Sequence, residues 1–361
     1  MNNFAFIIHP IDPKRDVQRK FPRLGRVLPV PAINFLSRFF PPVYISHITG
    51  ARSAANAQEI EGWFVACPFT VQRMLTLPVQ TVYRKIVKTV KLAQSKGARL
   101  VGLGAFTSVI GDAGLTISRQ VDVPVTTGDS YTVSIANQAV REAARRMEID
   151  LSKATAAVVG ATGAIGAVSA ELLARSVPQL LLIGKRPDRL AQVRARCETA
   201  GAEIQVSTDL AAIRQADVIL AVSSAGGAII QPQHLKPGAV VCDVARPRDV
   251  SRKVVEERDD VLVIEGGMVE APGAVDFHFN FGFPLKRAYA CMAETMALAL
   301  EGRYESYTLG KDLSVAQVET IDEIARRHGF KLGGFRSFER AVTDEHIEQI
   351  KRNARRGLAA A

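Results

Sequence analysis

The chain has 361 residues, of which 47% are hydrophobic and 23% are charged, a composition that excludes a disordered chain and suffices for two or three domains. Its formal net charge of +10 is compatible with nucleic acid, an anionic membrane or an acidic protein as partner, but no run of interleaved aromatic and basic residues indicates nucleic-acid binding. No apolar stretch reaches the roughly 18 residues of a membrane span, the N-terminus lacks the basic region of a signal peptide, and the four cysteines have no metal-ligand spacing. We therefore predict a cytoplasmic protein that has no metal site and does not bind nucleic acid.

Residues 1–125 are predicted to form an N-terminal α/β domain that binds the substrate. Apolar runs predict strands at Phe4–Ile8, Val43–Ile48, Ile60–Val65 and Leu100–Leu103. A helical periodicity predicts a helix over Thr81–Lys96, ended by Gly97. Thr107 and Ser108 follow the last strand, at the edge where ligands bind in open α/β sheets, so we predict that they orient a substrate carbonyl or donate to its developing oxyanion. The alternative is a turn whose hydroxyls cap the next helix.

Residues 14–42 differ from the rest of this domain because they are basic, apolar and interrupted by proline. The basic residues are Lys14, Arg15, Arg19, Lys20, Arg23, Arg26 and Arg38, and the apolar ones include Val27, Leu28, Phe35, Leu36, Phe39 and Phe40. The prolines forbid one long helix but allow a short one over Ala32–Phe40. One hypothesis is that the phenylalanine cluster folds back to cover the core or a substrate channel. The other is reversible, peripheral contact with a membrane.

The most specific motif is the stretch Gly160-Ala-Thr-Gly-Ala-Ile-Gly166. It lies between an apolar run, Ala156–Val159, and a helical pattern that begins near Ala167, and a connecting helix over residues 126–150, capped by Asp129 or Ser130, precedes it. A strand, a glycine-rich turn and a helix make a site for the pyrophosphate of a dinucleotide. We predict a Rossmann domain over residues 151–280. Its cofactor-binding residues in this turn are Gly160, Thr162, Gly163, Ala164, Ile165 and Gly166.

The next strands of this domain narrow the choice of cofactor. Gln179–Ile183 is followed by Lys185 and Arg186, where an NAD site usually has a carboxylate for the ribose 2′-hydroxyl. Two cations favour a 2′-phosphate, so we predict NADPH; the alternative is a solvated basic turn. Ser223 follows the predicted strand Ala216–Val222 and is expected beside the nicotinamide. Two later strands, at Ala239–Val244 and Val261–Ile264, complete a doubly wound parallel sheet.

Residues 281–361 are predicted to be a C-terminal helical segment that carries the catalytic cysteine. The predicted helices cover Pro284–Gly302, Val315–His328 and Thr343–Ala354. Arg287 precedes Cys291 by four residues, so on one helix the two side chains share a face and the cation favours the thiolate. A thiolate can take an acyl group from a thioester. The alternative is that Cys291 is a buried packing residue, as unpaired cysteines usually are.

Several segments together resemble one family, the long-chain fatty acyl-[acyl-carrier-protein] reductases best known from cyanobacteria. The matching segments, in order, are Leu103–Ser108, Thr126–Gly128, Val158–Gly163 with Ile165 and Gly166, Gly266 and Gly267 with Val269 and Glu270, and Ala290 and Cys291 with Ala293 and Glu294. The resemblance implies reduction of a long-chain acyl thioester to a fatty aldehyde, with acyl carrier protein, or coenzyme A, as the acyl donor. It also implies that Cys291 holds the acyl group as a thioester.

The chain departs from that family at three places. Ala105 stands where the family typically has glycine, Asp129 stands where it has asparagine, and the region between Glu270 and Pro284, which contains His278, does not match. Two other functions stay open. One is a shikimate- or amino-acid-dehydrogenase-like oxidoreductase without covalent catalysis, and the other is a non-catalytic NADPH-binding protein.

Overall fold

A computed structural model describes residues 2–359. Its strands are β1 (Asn2–Ile8), β2 (Val43–Arg52), β3 (Glu59–Ala66), β4 (Val101–Leu103), β5 (Val125–Thr126), β6 (Thr155–Val159), β7 (Gln179–Ile183), β8 (Glu203–Ser207), β9 (Val218–Ala221), β10 (Val240–Asp243), β11 (Leu262–Glu265), β12 (Met268–Glu270), β13 (Gly273–Asp276), β14 (Arg287–Tyr289), β15 (Lys331–Leu332), β16 (Arg336–Ser337) and β17 (Arg340–Ala341).

The α-helices alternate with these strands along most of the chain. They are α1 (Pro13–Lys20), α2 (Pro22–Val27), α3 (Val30–Leu36), α4 (Val71–Thr76), α5 (Val79–Ser95), α6 (Phe106–Val109), α7 (Leu115–Ser118), α8 (Asp129–Arg146), α9 (Ala164–Ala174), α10 (Pro187–Cys197), α11 (Arg252–Glu257), α12 (Ala290–Glu301), α13 (Val315–His328) and α14 (Asp344–Ala359). Within residues 2–359, none of the helices has both the length and the apolar character required to cross a membrane.

The chain divides into two compact units, each built from separate stretches of sequence. The first unit comprises residues 2–131, 269–313 and 319–331, and the second comprises residues 132–268, 314–318 and 332–359. The sequence-based division at residues 125, 150 and 280 assumes continuous domains, so its assignment of a role to each segment stays a prediction.

The first unit is built on a mixed six-stranded sheet. The strand order is β13-β2-β3-β1-β4-β5, in which β3, β1, β4 and β5 are parallel and β2 and β13 are antiparallel to their neighbours. The four strands predicted before residue 125 are confirmed. Both β5 and β13 were missed because two to four residues cannot establish a periodicity.

Helix α12 packs on this sheet because glycine replaces side chains at the points of contact. A Cβ atom on Gly102 of β4 would lie 2.2 Å from Oγ1 of Thr295, in the middle of α12. At the end of α12, a Cβ on Gly302 would lie 3.7 Å from Nδ2 of Asn2, at the beginning of β1. The helix therefore runs antiparallel to β1, and its N-terminus lies at the carboxyl ends of the parallel strands.

The second unit contains a doubly wound parallel sheet. Its strand order is β8-β7-β6-β9-β10-β11, with every neighbouring pair parallel. Alternate residues of β6 enter two different apolar clusters: Ala156 and Val158 join one, whereas Ala157 and Val159 join the other. Both faces of the sheet are therefore covered, as parallel sheets require. The predicted Rossmann-type α/β fold is confirmed.

The predicted C-terminal helices are confirmed with one correction. The interpretation of Pro284–Gly302 as a single helix was wrong at its beginning, because residues 287–289 form β14 and α12 begins only at Ala290. Lys286 has a φ of +60°, and Tyr289 is extended, so the backbone before Ala290 is not helical. The short helix expected near residues 32–40 is α3, which begins two residues earlier and ends at Leu36.

Candidate active site

In the first unit, several loops meet where the parallel strands end. His9 follows β1, the Gly104–Ser108 turn follows β4, and Gly128 follows β5. The N-terminus of α12 lies at the same edge, with Cys291 as its second residue. The carboxyl edge of parallel strands is the general location of ligand sites in open α/β sheets. This edge is therefore the candidate active site of the first unit.

Gly128 brings the loop after β5 into backbone contact with Cys291. A Cβ atom at Gly128 would lie 2.2 Å from Cα and 2.3 Å from Cβ of Cys291, so no side chain fits there. Gly128 also has a φ of +80°, in the left-handed region that favours glycine. These two constraints explain why the Thr-Thr-Gly motif ends in glycine. Only glycine lets the loop lie directly against Cys291.

The buried carboxylate of Glu294 ties this loop to α12. Glu294 is 0% exposed and lies one helical turn after Cys291. Its Oε1 accepts hydrogen bonds from the hydroxyls of Thr126 (2.5 Å) and Thr308 (2.9 Å), and its Oε2 accepts one from the backbone N–H of Tyr131 (3.0 Å). Thr126 and Tyr131 bracket Gly128 and Asp129 in the sequence. Glu294 is therefore a positioning residue that fixes the loop beside the thiol.

The thiol of Cys291 is protonated at neutral pH in this environment. The residue keeps partial solvent exposure, but burial of the thiol, followed by the negative charges of Asp129 and Glu294, raises the pKa of Cys291 to about 12. The prediction that Arg287 promotes the thiolate was wrong. Arg287 lies on β14 rather than on α12, and its guanidinium pairs with the Glu270 carboxylate at 2.8 Å.

Asp129 is a buried acid whose charge acts on the thiol of Cys291. It is the first residue of α8 and follows Gly128 directly. Burial, together with the charge of Glu294, raises the pKa of Asp129 to about 7. Burial also raises the pKa of Glu294, against the opposing effect of its hydrogen-bond donors. At neutral pH, Asp129 can thus both accept and release a proton, whereas sequence analysis considered it as a helix cap and as a departure from the family's asparagine.

Thr107 and Ser108 lie at the same edge, but their hydroxyls are engaged within their own turn. Thr107 Oγ1 donates to the carbonyl of Gly104 (2.7 Å), and Ser108 Oγ donates to the carbonyl of Ala105 (2.6 Å). Ala105 has a φ of +49° and a ψ of −125°, a conformation that costs an alanine about 1–3 kcal/mol. The family's glycine at this position would avoid that strain.

His9 is a member of this edge that sequence analysis missed. Its Nε2 accepts the backbone N–H of Phe106 (3.0 Å), and its Nδ1 lies 3.3 Å from the carbonyl of Pro10, so Nδ1 carries the proton. Burial lowers the pKa of His9 to about 4, and the ring is neutral at physiological pH. His9 therefore holds the strained turn in place. Its position directly after a strand was the available signal.

The glycine-rich turn of the second unit has the shape that a dinucleotide requires. Gly160 has a φ of +87°, and a Cβ atom there would lie 2.7 Å from Cα of Ser223. A Cβ on Gly166 would lie 2.3 Å from the carbonyl oxygen of Gly160, so the third glycine allows α9 to pack on the turn. A Cβ atom added to Gly163, by contrast, would meet no atom nearer than 3.4 Å, so there is open space beside this glycine.

The N-terminus of α9 is also suited to phosphate. Gly163 is its N-cap residue and provides no side-chain cap, and Ala164 and Ile165 supply the first N–H groups of the helix. Thr162 and Gly163 are partly or fully exposed. These features fit the pyrophosphate of a nicotinamide dinucleotide.

The predicted 2′-phosphate residues lie on the neighbouring loop. A Cβ on Gly184 would lie 3.1 Å from Cγ2 of Thr162, so the loop after β7 adjoins the glycine-rich turn. Lys185 and Arg186 are exposed on that loop. Ser223 follows β9, and its hydroxyl and backbone N–H both donate to the Asp249 carboxylate, at 2.5 and 2.7 Å. The structure thus brings the predicted cofactor residues together.

His278 and the fully buried cysteines have surroundings that fit structural roles, although Cys67, whose N–H donates to the carbonyl of Ile8, lies at the same edge as His9. His278 is half exposed, bonds with Thr49 at 3.1 Å and pairs with Asp276 at 3.2 Å. Cys67 and Cys242 are fully buried in apolar clusters. Their positions are those of packing residues.

The chain is similar to several known proteins. The sequence profile described as "Shikimate / quinate 5-dehydrogenase" matches residues 141–265. "Aminotransferase PigE" from Serratia sp. is 32% identical over 305 residues, which are 83% of this chain and 36% of that protein, so the chain spans about a third of that relative. "Long-chain acyl-[acyl-carrier-protein] reductase" from Synechococcus elongatus is 30% identical over 306 residues, 81% of this chain and 87% of that protein. The structure of L-tryptophan dehydrogenase from Nostoc punctiforme aligns with 98% of this chain and 88% of its own, at a TM-score of 0.41 and 12% identity.

The Rossmann unit and its dehydrogenase-like profile define an NAD(P)-dependent oxidoreductase. The match to the Synechococcus protein is more specific because it extends over most of both sequences. The chain belongs to the family of that long-chain acyl-[acyl-carrier-protein] reductase. The resemblance inferred from the motifs is confirmed at the level of the family.

The charges around the thiol lead to a testable prediction about Asp129→Asn. Loss of the adjacent carboxylate should lower the pKa of Cys291, so alkylation of Cys291 by iodoacetamide at pH 8 should accelerate by about tenfold, the effect of one pKa unit. Rates are measured by peptide mass spectrometry. The matched control is Asp122→Asn, at an exposed position of the same unit. Equal rates in wild type and Asp129→Asn would contradict the electrostatic account.

The variant Asp129→Asn also tests how the raised pKa of Asp129 affects the stability of the folded protein. The pKa of Asp129 is raised in the folded state, so the stability it contributes is complete below about pH 4 and is lost as the pH rises through about 7. Asp129→Asn should therefore gain thermal stability relative to wild type above pH 7.

Proposed function

We propose that the protein reduces a long-chain acyl thioester to the fatty aldehyde, with NADPH as reductant and Cys291 as the group that holds the acyl chain. The observation that carries this proposal is the packing of Cys291 against Gly128, the residue before Asp129, at the carboxyl edge of the first-unit sheet. The charge of Asp129 also acts on the thiol. Of the four cysteines, all of which lie within residues 2–359, Cys291 is the one that retains solvent exposure. A reacting thiol requires this access.

Asp129 is the proposed acceptor for the thiol proton. As the sulfur of Cys291 attacks the thioester carbonyl, its proton passes to Asp129. The carrier leaves as a thiolate and takes this proton, so the acyl group moves to Cys291 with no net change at Asp129. A carboxyl group that titrates near neutral pH suits both transfers. The family's asparagine cannot accept a proton, so this role is specific to chains with aspartate here.

The second half of the reaction releases the aldehyde. The Gly160–Gly166 turn, with Lys185 and Arg186, would hold NADPH, which would supply the hydride that reduction of the thioester carbon needs. Cys291 then leaves that carbon as a thiolate, and one proton, taken up through Asp129, restores the thiol. Backbone N–H groups of Cys291 and Met292, at the N-terminus of α12, stabilise the transient thiolate, because hydrogen bonds from them lower the pKa of the sulfur.

Thr107 and Ser108 are proposed to orient the acyl carbonyl. Their hydroxyls donate within the Gly104–Ser108 turn, so a rotation about the Cα–Cβ bond would redirect either one toward a developing oxyanion. His9 supports this role indirectly, since its acceptor nitrogen fixes the backbone of Phe106.

Acyl carrier protein is the proposed donor, with acyl-coenzyme A as the alternative donor. The similarity to an acyl-[acyl-carrier-protein] reductase supports this choice. So does the net charge of +10, because an acidic carrier is attracted to a cationic enzyme.

The choice of NADPH over NADH rests on Lys185 and Arg186. In Lys185→Ala/Arg186→Ala, loss of the charge-assisted contacts to a 2′-phosphate should weaken NADPH binding by roughly tenfold to a hundredfold per residue, with little effect on NADH. Fluorescence titration measures both affinities. Arg194→Ala/Arg214→Ala removes two exposed charges elsewhere in the second unit and is the matched control. Equal losses for NADPH and NADH would show that the two residues are a basic turn and nothing more.

Covalent catalysis is tested by Cys291→Ala with a long-chain acyl thioester and NADPH. Aldehyde formation should fall by about a thousandfold or more, equivalent to at least about 4 kcal/mol in the barrier, while NADPH affinity stays unchanged. Cys67→Ala is the control for a buried cysteine of the same unit. An active Cys291→Ala enzyme would overturn the covalent mechanism and favour hydride transfer without an acyl-enzyme, as in shikimate-dehydrogenase-like chemistry.

A further inference from the structure

The short helices near the N-terminus expose an unusual amount of apolar surface. Val27 is 77% exposed, Phe39 is 66% exposed and Phe35 is 58% exposed. Together, the exposed apolar residues are Phe21, Leu24, Val27, Val30, Phe35, Phe39, Phe40 and Tyr44, which we call the N-terminal apolar surface. Single exposed apolar residues need no explanation, but such a concentration within 24 residues marks an interaction site.

This surface is held in place by the fold. Lys14 of α1 donates to the carbonyls of Arg26 (3.1 Å) and Leu28 (3.0 Å), at the end of α2. Lys85 of α5 donates to the carbonyls of Arg38 (3.2 Å) and Phe40 (2.7 Å), in the turn after α3. These hydrogen bonds therefore fix the backbone at the end of α2 and in the turn after α3, beneath the exposed side chains.

Aromatic contact adds order to the side chains themselves. The rings of Phe35 and Phe39 pack edge to face, with centroids 5.6 Å apart. On α3, the neighbouring Ile33 and Asn34 are buried, so the helix already has an inward face against the protein. The phenylalanine pair is outside that face and is available to a partner.

Positive charge surrounds the apolar side chains. Arg15, Arg23, Arg26 and Arg38 are exposed, and residues 17–58 contain no aspartate or glutamate. Residues 1–111 contain 15 lysines and arginines but four aspartates and glutamates, a net charge of +11, whereas the whole chain has +10. The rest of the chain is thus almost neutral, and the excess charge is concentrated in the region that carries the apolar surface.

We propose that the N-terminal apolar surface docks the protein on an anionic lipid bilayer. Basic residues near such a surface are attracted to its headgroups, and the phenylalanines and aliphatic side chains insert at the boundary with the acyl chains. An acidic soluble protein could pair with the arginines, but its binding would not require so many exposed apolar side chains. Helices α2 and α3 have six and seven residues, so the contact is interfacial. The proposal does not depend on the proposed reaction, because binding to lipid needs neither substrate nor cofactor.

Co-sedimentation with vesicles tests the proposal directly. The full chain is mixed at low salt with vesicles of phosphatidylcholine alone or of equal parts phosphatidylcholine and phosphatidylglycerol. We expect sedimentation with the anionic vesicles, little with the neutral ones, and release by high salt as charges are screened. Arg23→Glu/Arg26→Glu should weaken partitioning by at least about tenfold, and Phe35→Ser/Phe39→Ser by a similar factor.

Two matched variants control for general effects of charge and hydrophobicity. Arg194→Glu/Arg214→Glu makes the same charge change in the second unit, and Val206→Ser/Val255→Ser removes two apolar side chains that are about as exposed as Phe40. Both should sediment like wild type. Circular dichroism and thermal unfolding verify that each variant is folded.

Three outcomes would overturn the proposal. The first is wild-type protein that stays in the supernatant with anionic vesicles at low salt. The second is that the protein forms a concentration-dependent dimer and that Phe35→Ser/Phe39→Ser abolishes the dimer without affecting lipid binding. This surface would then be an interface between two copies. The third is that an acidic carrier protein, free of any acyl chain, binds in a way that requires Phe35 and Phe39, while vesicle binding does not require them.

Discussion

The candidate active site depends on one buried carboxylate. Glu294 is completely enclosed and accepts hydrogen bonds from groups on both sides of the loop that contains Gly128 and Asp129. An enclosed carboxylate is costly unless its oxygens are satisfied, and in this arrangement both oxygens of Glu294 accept hydrogen bonds. That arrangement sets the backbone of Gly128 against Cys291. Because Glu294 lies one turn after Cys291 on α12, the network also fixes the beginning of that helix.

Glu294 also contributes to the protonation state of the thiol. Burial, followed by the negative charges of Asp129 and Glu294, keeps Cys291 protonated. A reactive cysteine is usually paired with a cation, and the sequence analysis expected this of Arg287. The structure instead surrounds the thiol with acids, one of which titrates near neutral pH. A protonated thiol is less open to adventitious oxidation or alkylation, and in the proposed reaction it forms the thiolate only when a proton acceptor is available.

Much of the fold could be predicted because apolar runs and glycine positions are local signals. The apolar runs at β1, β3 and β7 are continuous and well bounded. The glycine spacing from Gly160 to Gly166 is typical of the turn between a strand and a helix in dinucleotide-binding folds. The spatial neighbours of Cys291 could not be predicted in this way. Asp129 is 162 residues away in the sequence, and the break before Ala290, which moved Arg287 off the helix, follows from backbone conformations that periodicity does not detect.

The central claim is that the protonated Cys291 accepts an acyl group. The most direct test is intact-mass analysis after incubation with a long-chain acyl thioester in the absence of NADPH, followed by peptide mapping of all four cysteines. The account predicts that the protein gains the mass of one acyl group, that the modified peptide contains Cys291, and that Cys291→Ala gains no mass. An unmodified wild type that nevertheless forms aldehyde once NADPH is added, or an adduct of equal yield in Cys291→Ala, would contradict it.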